Sequence, residues 1–358
     1  MRKVRVVACL WVLLLALDAV AQQYNVTDLG ALSGFTSSYA DDNNNAGQVT
    51  GCSDNSTVPT VPCTANIAAE AFLWSNGDMQ PLGYLSGDDQ SVGYVVNDSG
   101  VVVGSSENTT TGVYRGFVWT NPGPMVALPD LPGGSGYTLA TAITSKGVIV
   151  GESATSNGNE DLVFWTRSQG SYVIHDLGCL PSAPYCYTYD INANLQVTGT
   201  AYFFNNNSSY HAFLWSKTKG WQDLGTLEGG ALSQGIWMTD AGVVAGTSTS
   251  TQYPNGVSVY WDTAGKIHSI GTLPGGNSSS PGYISDSGII LGQSTVTGGD
   301  THAYIWTQKT GMQDLNNMIP PNTGWDLHHA ASINNAREIV GYGAINGLDH
   351  AFLLTPVE

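Results

Sequence analysis

One phrase keeps returning along this chain. It reads "DLGTLEGG" from Asp223, "DLGCLP" from Asp176, "SIGTLPGG" from Ser269 and "LPDLPGG" from Leu128. A glycine that closes short apolar runs keeps the same beat, at Gly51, Gly104, Gly151, Gly199, Gly246, Gly292 and Gly341. So does the end of an aromatic run, at Trp74, Trp119, Trp165, Trp215, Trp261 and Trp306, with Leu354 in the last copy. Independent anchors on one period define seven copies of about 47 residues, the signature of a stacked repeat architecture.

Each copy holds four short β-type runs. In the fifth they are "QGIWMT", "VVAGTST", "SVYW" and "IHSIG", separated by turns such as "DAG" and "DTAGK". Runs of this length, rich in Val, Ile, Tyr and Trp and bounded by Gly, Asp and Asn, are strand and hairpin signals. Nowhere do apolar residues keep helical spacing over 11 or more positions. Four antiparallel strands per copy predict an all-β fold, a seven-bladed β-propeller of four-stranded antiparallel blades. A β-solenoid has shorter coils and parallel strands, whereas the turn chemistry here lies inside each copy. Seven residues before each anchor glycine stand Asn44, Asn97, Thr144, Asn192, Thr239, Ser285 and Asn334. All are small polar residues able to bond the backbone two residues on. Eleven before it stand small residues, among them Ala40, Gly93, Ala140, Gly235 and Ala330, which suit a crowded innermost strand. The last copy stops after its third run, and the chain opens with an isolated fourth-run phrase, "YNVTDLG". Tyr24 to Leu29 is therefore expected to complete the last blade, leaving no unpaired edge.

The ends and the charge bound the setting. A basic start, the apolar run "VVACLWVLLLAL" and the small residues "AVA" at Ala19 to Ala21 predict a signal peptide over residues 1–21. Cleavage at the lipoprotein-like "VVAC" is a weaker reading, since it would leave most of the apolar run in place. One propeller domain over 22–358 remains, with no later segment apolar enough to span a membrane. Arg2, Lys3, Arg5 and Asp18 leave with the leader, so 8 basic (11 less 3) face 27 acidic residues (28 less 1), a net charge of −19. Such a surface repels nucleic acid and anionic lipid. Cys52, Cys63, Cys179 and Cys186 remain, an even number that suits disulfides in an exported protein. Three pairings are possible. Propeller geometry narrows them to Cys52–Cys63 and Cys179–Cys186, because cross-pairs would exceed the Cα separation a disulfide allows.

The phrases "HAFLW" at His211, "HAYIW" at His302, "HAFLL" at His350 and "DLGTLEGG" at Asp223 resemble the HAF-repeat family of bacterial extracellular repeat proteins, over Tyr24 to Leu354. The resemblance implies an exported repeat protein and carries over no catalytic residue. His211, His302 and His350 share one repeat position, which makes them structural. Asp98, Asp240 and Asp286 sit in "NDSG", "TDAG" and "SDSG" turns and read as turn formers rather than calcium ligands. No nucleophile elbow, zincin, P-loop or EF-hand motif occurs, and no cofactor, catalytic residue or metal ligand is assigned. The chain is expected not to be an enzyme.

Departures from the repeat carry the candidate binding residues. Trp325, His328 and His329 mark the last copy, Asp88 and Asp89 the second, and Glu228 the fifth. All lie where the chain crosses from one copy to the next, around the expected channel mouth. A polar rim is the plain reading of these residues and a carbohydrate or metal site the functional one. The function expected is an exported non-catalytic binding or scaffold module for an extracellular glycan or protein. Its recognition loops would be Asn55 to Asn66, Asn205 to Tyr210 and Thr249 to Asn255. The alternatives are a polysaccharide hydrolase or lyase, with Asp88 or Asp89 paired with Glu228, and a purely structural surface protein.

Overall fold

The computed structural model describes residues 23–55, 63, 68–203 and 209–357. The expected leader and most of the recognition loops at 55–66 and 205–210 lie outside the described residues. The described chain is strand and turn, with one 3-10 turn at Leu315–Asn317. Each copy supplies an antiparallel meander. The first is Ser37–Asn43, Val49–Asp54, Ala69–Ser75 and Asp78–Gly83. There are five four-stranded sheets and one of eight strands. In the latter, the third and fourth copies are joined by a single parallel pair, Glu160 with Tyr185. The first strands of successive copies pack on one another, and Ser37–Asn43 of the first also packs on Asp326–Ile333 of the last.

The sheet of the last copy takes its outer strand from the other end of the chain. Tyr24–Asp28 runs antiparallel to Leu348–Pro356, with Val26 opposite Leu354 and Asp28 opposite Phe352. Leu29 N–H continues the pairing to the Ala351 carbonyl at 3.0 Å.

A β-bulge occurs at the same place in every copy, between the residues eleven and nine before the anchor glycine. The register breaks at Ala40/Asp42, Gly93/Val95, Ala140/Ala142, Thr188/Asp190, Gly235/Trp237, Pro281/Tyr283 and Ala330/Ser332. The bulge bends each first strand, and it explains the anchor glycines. A Cβ on Gly246 would lie 1.8 Å from the Gln234 carbonyl oxygen, and one on Gly199 would lie 2.0 Å from that of Tyr187. No side chain fits where the bulged strand leans over its partner.

Neighbouring copies are clamped by a repeated hydroxyl. Ser233 accepts a bond from Ala212 N–H (2.9 Å) and donates to the Gly225 carbonyl (2.7 Å), both in the preceding copy. Ser91 and Ser279 make the same two bonds, and Ser38 takes Ala351 N–H (2.8 Å) from the last copy. A second serine receives the leucine of the recurring phrase, as when Leu227 N–H bonds Ser248 Oγ at 2.9 Å. The phrase "DLGTLEGG" is thus the seam between copies. Ser233→Ala strips two partners from a buried junction and should cost about 2 kcal/mol in urea unfolding. A variant within a few tenths of wild type would show that the clamp is not needed.

In the three copies that carry it, the histidine phrase pairs with an aspartate phrase. His211 Nδ1 meets Asp223 (2.9 Å), His302 meets Asp314 (2.7 Å), and His350 meets Asp28 (2.9 Å) across the two chain ends. These histidines link a third strand to a fourth. The turn asparagines behave as expected, Asn44 Oδ1 accepting from Ala46 N–H at 3.0 Å. They also reach the next copy, where Asn44 Nδ2 donates to the Asn97 carbonyl and Asn97 Nδ2 to that of Thr144. Asp98 and Asp240 do more than form turns: they accept backbone N–H groups of Asn45 and Ala193 in the preceding copy.

Candidate binding site

The first hairpin turns gather at one end of the fold and the loops between copies at the other. At the turn end, all seven copies line a cavity of about 760 Å³. Asp42, Asp190, Trp237 and Tyr283 sit in its wall, all nine residues before their anchor glycines. Asp42 is occupied, accepting from Val96 N–H (3.0 Å) and Ser332 Oγ (2.7 Å). Asp190 accepts from Met238 N–H (2.8 Å) and Ile191 N–H (2.7 Å). Burial pushes each up to about 7. These carboxylates tie copies together, each capping the strand of the next.

The residues singled out in the sequence lie at the loop end, and none lines that cavity. The Asp88 side chain is buried and ion-paired to Arg115, whose guanidinium also bonds the Ser86 carbonyl. Asp89 accepts from Thr109 N–H (2.9 Å) and Thr109 Oγ1 (2.6 Å), bonds that hold its carboxyl below the usual range. Glu228 is exposed in another copy, and among the described residues no hydrogen bond or ion pair joins it to either aspartate. Trp325 packs edge-on against Phe352 at 6.0 Å. His328 lies between Asp349 (3.5 Å) and Asp326 (3.7 Å), and Asp349 is the main cause of its raised pKa. The His329 ring stacks on Tyr342, and burial pushes it down to about 4. Among the described residues no three His, Cys, Asp or Glu side chains converge as metal ligands do. The structure therefore brings together Asp88 with Asp89, and His328 with Asp326, but not the six residues as one site.

A different cluster at the loop end was not anticipated. Tyr185, Tyr187 and Tyr189 occupy alternate positions of the strand Tyr185–Ile191, while Cys186 and Thr188 between them are buried. Alternation puts Tyr185 and Tyr187 on one face, and Tyr189, the extra residue of the bulge, joins them in the same pocket. With Tyr202 of the neighbouring strand they line a pocket of about 480 Å³. Tyr187 and Tyr202 meet at 5.1 Å with planes at 86°, forming a corner, and Tyr210 extends it at 5.1 Å from Tyr202.

Two features fix this strand in place. Cys179–Cys186 is a disulfide, as is Cys52–Cys63, with Cα separations of 5.6 and 6.4 Å. The first staples the loop between copies to the strand that bears the tyrosines. Glu152, from the preceding copy, accepts from Thr188 N–H (2.9 Å) and Thr188 Oγ1 (3.3 Å). Burial, with Glu160 adding to it, pushes Glu152 up to about 8. Glu160 adjoins Tyr185 through the parallel pair; its carboxyl is hydrogen-bonded by Tyr187, and its Oε2 is buried without a partner. Burial, chiefly, raises the pKa of Tyr187, and the nearby charge of Glu160 raises it further. Two signals in the sequence pointed here: the "YCYTY" alternation, and a carboxylate at Glu152 where other copies carry Cys52, Ser105, Thr200, Thr247, Gln293 or Tyr342.

No protein-family model matches the chain, and no curated protein matches it in sequence. Solved structures do. The β-propeller domain of the trilobed protease from Pyrococcus furiosus superposes with a TM-score of 0.57 at 7% identity, covering 93% of this chain and 94% of that one. A puromycin hydrolase gives 0.58 at 13%, and a puromycin-hydrolyzing peptidase from Mycobacterium tuberculosis gives 0.53 at 10%. The chain spans about half the length of these two, 51% of each. The chain has a β-propeller fold. The expectation that it is not an enzyme is corrected by the same finding: chains described as hydrolases share this fold, so neither the architecture nor a missing motif excludes catalysis.

Proposed function

We propose that the chain is a seven-bladed propeller of the HAF-repeat kind, exported behind its basic and apolar leader. It serves as a binding or scaffold module for an extracellular glycan or protein. Seven four-stranded copies, the strand shared between the chain ends and the contact of the first copy with the last support the blade count and its closure. The two disulfides suit an oxidising compartment. Among the described residues no helix is long and apolar enough to cross a membrane.

The observation that carries the binding role is the half-buried tyrosine pocket at the loop end. A purely structural repeat has no need to hold four phenols open there by a disulfide and a buried carboxylate. The mature protein should retain a specific ligand on a glycan array or in a pull-down from surface extracts, and Tyr187→Ala with Tyr202→Ala should weaken that capture at least tenfold. Finding no specific ligand in either assay would sink the proposal, as would capture indifferent to both substitutions.

A further inference from the structure

The shape and charge of the tyrosine pocket select among ligands. This step rests on the loop end being a binding face, and it names the chemical group taken there. We infer that the pocket formed by Tyr185, Tyr187, Tyr189 and Tyr202 receives an alkylated ammonium group, held by the faces of the phenol rings with Glu160 behind them.

Three observations carry it. Among the described residues the lining is tyrosine alone, without the amides and guanidinium groups that bond the hydroxyls of a sugar. Its rings do not form a flat platform, since Tyr187 and Tyr202 stand nearly perpendicular. Perpendicular rings enclose a rounded group, and the negative faces of aromatic rings attract a cation that is poorly hydrated. The local charge also has one sign. Glu160 supplies it: its carboxyl is hydrogen-bonded by Tyr187 and its Oε2 is buried without a partner beside Tyr185, while Glu152 behind Thr188 stays protonated below about 8 and adds none. A buried carboxylate oxygen without a donor is costly, and a cation in the pocket relieves that cost. A neutral ligand does not, and an anion is repelled.

The probe is choline chloride, titrated into the disulfide-intact mature protein and followed by calorimetry and tyrosine fluorescence. Saturable binding is expected in the micromolar to millimolar range. The uncharged isostere 3,3-dimethylbutanol should bind at least tenfold more weakly. Tyr202→Ala should abolish the signal and Glu160→Gln should weaken it severalfold, in variants whose melting shows them folded. Tyr187→Phe, which keeps the ring, should retain it. Phosphatidylcholine vesicles separate a lipid headgroup from a free ligand: co-sedimentation would identify the headgroup as the source, and choline binding without it a free molecule. Equal affinity for choline and its isostere would overturn the inference, as would no choline binding. If a glycan or protein ligand is captured through Tyr187 and Tyr202 while choline fails, the binding role stands and the ammonium assignment falls. If neither binds, both fall.

Discussion

A mature chain lacking residues 23–30 should lose most of its stability and aggregate on expression. The segment lies between both ends of the fold rather than hanging from one. Tyr24–Asp28 pairs with Leu348–Pro356 along its whole length. Tyr24 and Leu29 are buried, Tyr24 in the core between the sixth and last copies and Leu29 in the core between the last and the first. Gln23 N–H and Tyr24 N–H both reach the Met318 carbonyl, and Asp28 bonds His350. Losing several ladder bonds at about 1 kcal/mol each, with two large side chains at about 1.5–3 kcal/mol each, consumes most of a typical ~5–15 kcal/mol. The deletion also leaves Leu348–Pro356 as an open edge, a template for association. Asp28→Ala, which removes only the His350 pair and its turn bond, should be far milder. A truncated chain that melts within a degree or two of the full one would refute closure through this strand, and with it the seven-bladed ring.

The closing strand was legible in the sequence because two independent beats ran out of phase at the chain ends. The last copy lacked a fourth run and the first residues supplied one. The bulge was not legible. Its extra residue is Asp41, Tyr94, Thr141, Tyr189, Ile236, Gly282 or Ala331, which share no chemistry, because the bulge is set by backbone geometry and by the glycine opposite. Departures from the repeat were a sound guide to unusual residues and a poor one to free residues. Asp88 departs from the pattern because Arg115 does, and the two neutralise each other. The tyrosine pocket escaped because its members come from two strands and owe their setting to Glu152, some 35 residues away along the chain.

The protein should be more stable at pH 5 than at pH 8. Glu152 is buried and ionises only at about 8, and Asp42, also buried, only at about 7. Burial likewise raises Asp41 to about 8, with Asp42 adding to it, and Asp190 to about 7. In the unfolded chain such groups lose their protons at about 3.9 to 4.3. Between those values and pH 7–8 the folded state binds more protons than the unfolded one, so stability falls as pH rises. Their contribution is complete below the unfolded values and spent above the folded ones. Each fully buried group tilts the curve by about 1.4 kcal/mol per pH unit inside its window. His211 acts in the same direction, whereas His329, pushed down to about 4 by burial, opposes it between about 4 and 6.5, one group against the four carboxyls. The hydrogen bond to Asp223 raises His211, so its contribution is complete below about 6.5 and lost as pH climbs through the folded value. Asp223, lowered by His211, and Asp89, lowered by Thr109, act in the opposite direction, but only as pH falls below the ordinary carboxylate range. The optimum therefore sits between about 4 and 6, and Glu152→Gln, which keeps an acceptor for Thr188 and removes the ionisation, should flatten the decline toward pH 8. Thermal melts from pH 4 to 9 on both proteins decide the matter. A wild-type melting temperature that is flat or rises between pH 5 and 8 would show that these carboxylates are solvated, and that Glu152 does not hold the tyrosine strand from a dry interior.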